Sequence, residues 1–222
     1  MRILAMPKLI HRILSRLFYW DLDAYICFRE DLTKPRELHS LPKSLSDEGW
    51  KLYEVDLGLP KDMQKLSTLF LEAFPSYQTL DDAKTELDNA KKRGDKCIVV
   101  ANDNEFKAMS WLGQENNRLL QTVGKFMDSR HGIGVIHRSY VSPSLRGHKL
   151  QQIISSHISD LAKREGKEWL CGFAGVQNFS SIRNRLQRHD EYRLVYHLTI
   201  ETKLRKWNIF PKLNKERWKP CS

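Results

Sequence analysis

The feature that most constrains this chain is a strand, a basic turn and a helix set end to end between Val135 and Ala162. Val135 to Val141 is an apolar run that reads as a strand, and Ser142-Pro143 stops it, because proline cannot donate to a sheet ladder. The turn Arg146-Gly147-His148-Lys149 follows. Behind it, Leu150, Ile153, Ile154, Ile158, Leu161 and Ala162 recur at helical spacing, which predicts a helix over 147–165 with one buried stripe. A helix start of this kind is an anion site. Its first amides lack partners within the helix, and the helix dipole adds partial positive charge there. Arg146 and Lys149 add two cations, and Gly147 lets backbone come close to a phosphate. The arrangement suits a pyrophosphate.

A length of 222 residues fits one domain of ordinary size plus appendages. The 37 basic and 27 acidic residues leave a net charge of +10, so the expected partners are anionic. Charge alone does not choose between nucleic acid, a membrane surface, an acidic protein and a phosphate-bearing ligand. Cys27, Cys97, Cys171 and Cys221 are scattered without a C-x-x-C pair, which argues against a zinc site or a disulfide framework and suits a reducing cytoplasm. His148 and His157 have no metal-ligand spacing, so no metal is expected. No apolar run approaches the roughly 20 residues that span a bilayer. The N-terminus lacks the apolar core and cleavage site of a signal peptide, so a cytoplasmic location is expected.

Residues 1–49 read as an extension of the main domain. Over 1–20 a cationic amphipathic helix is predicted, with Leu9, Ile10, Ile13, Leu14, Leu17 and Phe18 as its stripe. Such a helix suits docking on an anionic membrane surface, at the inner face of the membrane. The commoner fate of such a stripe is packing on its own domain or on a second subunit. Ala24 to Phe28 suits an added strand, and the Pro35–Pro42 region a linker. The main domain is expected over 50–205. It begins with a strand at Trp50–Leu57, a helix opened by Pro60 and ended by Pro75, and a second helix behind the Thr79-x-x-Asp82 capping box. Cys97 to Ala101 and Phe106 to Leu112 form a hairpin, 113–132 a loop or short helix, and 168–176 another strand. Asn178 caps a shorter helix that carries Phe179, Ile182 and Leu186 inward, and 193–204 is a long alternating strand. Residues 206–222 are a basic, aromatic tail. It suits gripping nucleic acid or membrane, or packing its aromatic residues on the domain.

The Val141-x-Pro143 lead-in, Arg146-Gly147 and the element order β-α-α-β-β-β-α-β-α-β across 50–205 resemble the GCN5-related N-acetyltransferase (GNAT) superfamily. The family pattern has small residues where this chain carries Lys149 and Gln151. The resemblance implies an α/β fold: a mixed, mostly antiparallel sheet flanked by helices, with a splayed central strand pair at 135–141 and 168–176. It also implies an N-acyltransferase that uses acetyl-CoA or another acyl-CoA, with acetyl transfer to an unknown amine acceptor, a small molecule or a protein, as the leading reaction. A longer acyl chain, from acyl-CoA or an acyl carrier protein, and a non-catalytic acyl-CoA-binding module are the alternatives. A homo-oligomer remains open, and nucleic acid is not the expected partner.

By the same resemblance, Tyr140 and Val141 would meet the pantetheine through their backbone. The segment Arg146, Gly147, His148, Lys149, Leu150 and Gln151 would hold the pyrophosphate, and Asn178 would contact the cofactor arm. The proton-transfer residues are less clearly marked. His137 is the natural base on the central strand, because its unperturbed pKa lies close to neutral pH. Glu115 or a water chain could serve instead. Arg185 stands where many family members carry a Tyr that serves as general acid, which leaves Tyr192 and Tyr140 as the candidate acids.

Overall fold

The computed structural model describes residues 19–114, 132–201, 206–209 and 219–221, with side chains from Tyr25 to Val195 apart from the gap and at 219–221. In chain order the elements are β1 (Tyr19–Asp31), α1 (Lys43–Asp47), β2 (Lys51–Glu54), α2 (Pro60–Ala73), α3 (Leu80–Arg93), β3 (Lys96–Ala101), β4 (Phe106–Gly113) and β5 (Ile133–Val141). A single 3-10 turn, Pro143–Leu145, leads to α4 (Leu150–Arg164), β6 (Trp169–Gly175), α5 (Phe179–Leu186), β7 (Glu191–Glu201), β8 (Lys206–Ile209) and β9 (Lys219–Pro220). The chain forms two compact units: 29–172 with 188–190, and 1–28 with 173–187 and 191–222.

In the first unit β2, β3, β4 and β5 pair antiparallel in that order, and β5 pairs parallel with β6. Residues 97–101 form a continuous apolar run because β3 is covered on both faces. Ile98 and Val100 join Ala108, Leu112 and Ile136 beneath α4, whose Leu150, Ile153, Ile154, Ile158 and Leu161 are all buried. Cys97, Val99 and Ala101 point the other way and pack with Met109 and Trp111 beneath α2 and α3. The two helices present Leu66, Leu69 and Phe70, and Ala83, Leu87 and Ala90, at the spacing their sequences show. The capping box forms as written: Asp82 N–H donates to Thr79 Oγ1 at 3.1 Å, and Thr79 N–H to Asp82 Oδ2 at 3.0 Å. In the second unit β7 pairs antiparallel with β8 and with β9. The sheet pairs are thus mixed and mostly antiparallel, and helices flank them, as expected. Among the described residues no helix is long and apolar enough to cross a membrane.

Several expectations are corrected. Helix α4 starts at Leu150, not 147, because Gly147 (φ 91°) and Lys149 (φ 55°) adopt left-handed backbone that no α-helix can include. Phe179 is not inward but 77% exposed, and Arg185 is the buried residue of α5. A helix of eight residues has too few turns for apolar spacing to fix its buried face. Tyr19 and Trp20 open β1 and do not close a helix; the rest of the expected 1–20 helix lies outside the described residues. The final alternating strand spans 191–201, and parts of the expected tail, 206–209 and 219–220, are paired strands. Leu204 and most of the 113–132 segment, with Glu115, lie outside the described residues.

Candidate active site

Strand β5 carries an extra residue in its middle. Trp111 pairs with His137 and Met109 with Tyr140, so the single residue Ser110 of β4 faces two of β5 and the chain bulges at Arg138–Ser139. Arg138 takes up the bend with φ 50°, an uncommon backbone for a residue with a side chain. Its guanidinium donates to Glu86 Oε1 on α3 at 2.8 Å and lies 5.3 Å over the Phe70 ring. Ser139 turns the other way, with its hydroxyl 2.7 Å from that of Ser110.

Beyond the bulge, the strand's outer edge is set by alternation. Ser142 N–H donates to Lys107 O at 2.8 Å, and the register Met109↔Tyr140, Ala108↔Val141 continues from it. In an antiparallel ladder every second residue turns its backbone groups away from the partner strand, and here that residue is Val141. The pairing of β5 with β6 runs only from Ile133↔Trp169 to Ile136↔Gly172, short of Val141 by five residues. Arg146 folds back so that its Nε donates to Val141 O at 3.3 Å.

The turn into α4 is the expected cationic corner. Arg146 and Lys149 are both exposed, and His148 and Gln151 are half-buried. No backbone acceptor is assigned to the N–H groups of Gly147, His148, Lys149, Leu150 and Gln151 among the described residues; the first amides with one are those of Gln152 and Ile153, both on Lys149 O. A Cβ added to Gly147 would meet nothing within 4 Å, so the glycine is needed there for its backbone angle and not for room. Lys149 does not crowd the corner, since its left-handed backbone carries the side chain into solvent. A diphosphate fits these five amides and two cations.

His137, expected as a base, is only 8% exposed and lies 6.3 Å from Trp111, ring to ring. Burial, aided by the nearby Arg138 and Arg93, pushes its imidazole down to about 3. The ring is therefore neutral, and its 3.9 Å approach to Asp95 Oδ2 is not an ion pair. A base this weak and this covered is poorly placed to take a proton from a substrate. Asp95 itself accepts from Arg93 Nε at 2.9 Å and from Gln114 N–H at 3.1 Å. Tyr140 packs its ring toward α2 and donates its hydroxyl to Glu72 Oε1 at 3.1 Å; Ser142 Oγ donates to the same oxygen at 2.6 Å. Burial, then Glu72, raises the Tyr140 phenol above its ordinary range, so it keeps its proton at neutral pH.

With this geometry in view, known structures supply the context. A GCN5-related N-acetyltransferase from Sphaerobacter thermophilus superposes on 93% of the chain with a TM-score of 0.56 and 12% identity, and the chain covers 58% of it. The chain has the GNAT fold. A GCN5-related glucosamine N-acetyltransferase region of a fungal multi-domain GH3 beta-N-acetylglucosaminidase matches 90% of the chain at a TM-score of 0.53 and 14% identity, with 22% of that protein covered. A GNAT-family protein from Novosphingobium aromaticivorans matches 84% at 0.51 and 12% identity, with 68% of its length covered. The chain therefore spans little more than half the length of the first of these. No protein-family model matches the sequence, and no curated protein does.

In GNAT-fold terms, Tyr140, Val141 and the segment Arg146–Gln151 come together in one unit at the C-terminal end of β5. Asn178 and Tyr192 belong to the other unit. Asn178 is exposed, and its Oδ1 accepts from Ser181 N–H at 3.0 Å as the cap of α5. Tyr192 is half-buried in β7, in register with Lys219. Arg185 is buried, and desolvation lowers it to about 10. Glu72, Glu86 and Asp95 went unread in the sequence, because each is one acid among many until the fold sets it against β5.

Proposed function

We propose that the protein is an N-acetyltransferase of the GNAT superfamily that takes its acetyl group from acetyl-CoA. The observation that carries the reading is the pairing, at one end of β5, of an outward-facing Val141 backbone with five unclaimed amides and two exposed cations at the start of α4. The amides of Gly147 to Gln151, with Arg146 and Lys149, would hold the diphosphate. Val141 N–H and C=O would hold the pantetheine arm, with Arg146 leaving Val141 O for the phosphates. Acetyl-CoA supplies an activated thioester carbonyl. What this chain adds is orientation along β5 and, at Tyr140, a hydroxyl that stays protonated and suits a general acid.

A second reading, acyl-CoA binding without turnover, is favoured by one observation: the burial of His137 leaves β5 without an accessible base. Longer acyl groups, from CoA or an acidic carrier protein, suit the basic balance of the sequence equally well. Calorimetric titration with acetyl-CoA, run beside a free-thiol assay over a panel of primary amines, separates these readings. Heat with thiol release on any amine supports the transferase. Heat without release on any of them supports the binding module, and no heat for any CoA thioester ends both.

A further inference from the structure

The extra residue in β5 resets which way its side chains face. Before the bulge, Ile136 points under α4 and His137 toward Trp111, on the side of α2 and α3. Arg138 stays on that second side, bound to Glu86 and lying over the Phe70 ring. Alternation then resumes, with Tyr140 packed toward α2 and Val141 under α4. Ser139 therefore falls on the side of Val141, where an unbulged strand would have turned it to the opposite face. There its hydroxyl lies 2.7 Å from that of Ser110 on β4.

Burial decides the direction of that bond. One hydrogen bond between two hydroxyls uses one proton and leaves the other in need of an acceptor. Ser110 is 1% exposed, between Ala108 and Leu112 on the covered face of β4, and among the described residues its hydroxyl meets Ser139 alone. Were Ser139 the donor, the Ser110 proton would be stranded in the core, which is unfavourable. Ser110 therefore donates, and Ser139, which is half-buried, keeps a proton to give. That proton is offered on a stretch of β5 beyond its last pair with β6, Ile136↔Gly172. The two residues from Ser139 to Val141 span about 7 Å of strand. An arm anchored by its diphosphate at Gly147–Gln151 and paired with Val141 runs on toward the bulge. The cysteamine segment between the last amide of that arm and its thioester is of comparable length.

We propose that the Ser139 hydroxyl donates to the carbonyl oxygen of the bound thioester, with Ser110 as the positioning residue that aims it. This rests on the acetyltransferase reading. As the acceptor nitrogen bonds to the carbonyl carbon, the C=O electron pair moves onto oxygen, and the hydroxyl meets that charge while keeping its own proton. No bond to the serine forms. The pair then returns, the C–S bond breaks with sulfur leaving as thiolate, and the surplus proton on nitrogen passes to solvent. A donor already aimed by a buried neighbour needs no reorganisation as the charge develops. Arg138, fixed by Glu86 at 2.8 Å, holds the bulge that presents it.

The readout is the infrared carbonyl band of acetyl-CoA, carrying 13C at the acetyl carbonyl, bound to the full chain. A donor on the oxygen weakens the C=O bond and lowers its stretch. The expected result is a band below that of free acetyl-CoA in the wild type, returned toward the free position in Ser139→Ala and kept low in Ser139→Thr, which retains the hydroxyl. Because Ser139→Ala strands the Ser110 proton, the double variant Ser110→Ala with Ser139→Ala repeats the measurement with both hydroxyls gone. A serine that only ties β5 to β4 would lower the melting temperature and leave the band where it was. Acetyl-CoA affinity, by calorimetry on the same samples, should change by less than about threefold, since the diphosphate is held elsewhere. Turnover of any amine accepted in the thiol assay should fall roughly a hundredfold in Ser139→Ala. Binding heat with one and the same band in the wild type and both alanine variants overturns the role of Ser139 alone. Absence of heat for acetyl-CoA overturns the acetyltransferase reading, and this role with it.

Discussion

Replacing Gly147 with alanine isolates the turn that is meant to hold the diphosphate. The backbone there sits at φ 91°, and an added Cβ would meet nothing within 4 Å, so the cost is one of conformation alone. For an L-residue in left-handed backbone that cost is about 1–2 kcal/mol. In a chain of this size it corresponds to a loss of roughly 2–8 °C in melting temperature. Gly94, which closes α3 at φ 74° and whose added Cβ would only touch Gln114 Cγ at 3.9 Å, carries the same backbone cost far from the turn. Gly147→Ala and Gly94→Ala should therefore melt alike and bind acetyl-CoA differently. Relaxing residue 147 re-aims the amides from Gly147 to Gln151, and losing one or two bonds to charged phosphate oxygens, at about 1.5–3 kcal/mol each, weakens binding by tenfold or more. Thermal melts and calorimetric titration of both variants measure the two effects. If Gly147→Ala melts lower yet binds acetyl-CoA as the wild type does, the turn is not the phosphate site.

Thr79→Ala removes one arm of the capping box and should lower stability by about 1 kcal/mol in urea titration while leaving acetyl-CoA binding unchanged. His137 should stay neutral in the folded protein, its ring signals constant from pH 8 to 5 by NMR. Its imidazole is lowered from 6.5 to about 3, so the unfolded chain binds more protons between those values. The stabilisation is complete above pH 6.5 and is lost as pH falls toward 3, by up to about 1.4 kcal/mol per unit, and His137→Gln should flatten that slope. At Arg138, where φ is 50°, the glycine variant should be at least as stable as the alanine variant in chemical denaturation, the reverse of the usual order inside a strand. If alanine proves clearly the better, the bulge stores no strain.

The elements were legible because their signals are local. Pro60, the Thr79 capping box, the stripe from Leu150 to Leu161 and the two-faced run at 97–101 each act within a few residues, and each formed where it was read. The order of those elements, with the Val141–Gly147 segment, was enough to indicate the GNAT fold and the corner where an anion would sit. Phe179 was misplaced because a helix of eight residues has too few turns for spacing to identify a buried face.

What the tertiary structure alone decided are the relations over long sequence separation. The bulge at Arg138–Ser139 depends on the register against β4, which no spacing within β5 reveals. The neutrality of His137 depends on burial against Trp111 and on cations brought in from α3 and the bulge. Glu72 meets Tyr140 and Ser142 across 68 and 70 residues of chain, and only folding turns that one acid of helix α2 into an oriented charge at the end of β5. Local propensity and periodicity are properties of neighbours in sequence, whereas pKa, strain and charge orientation belong to neighbours in space.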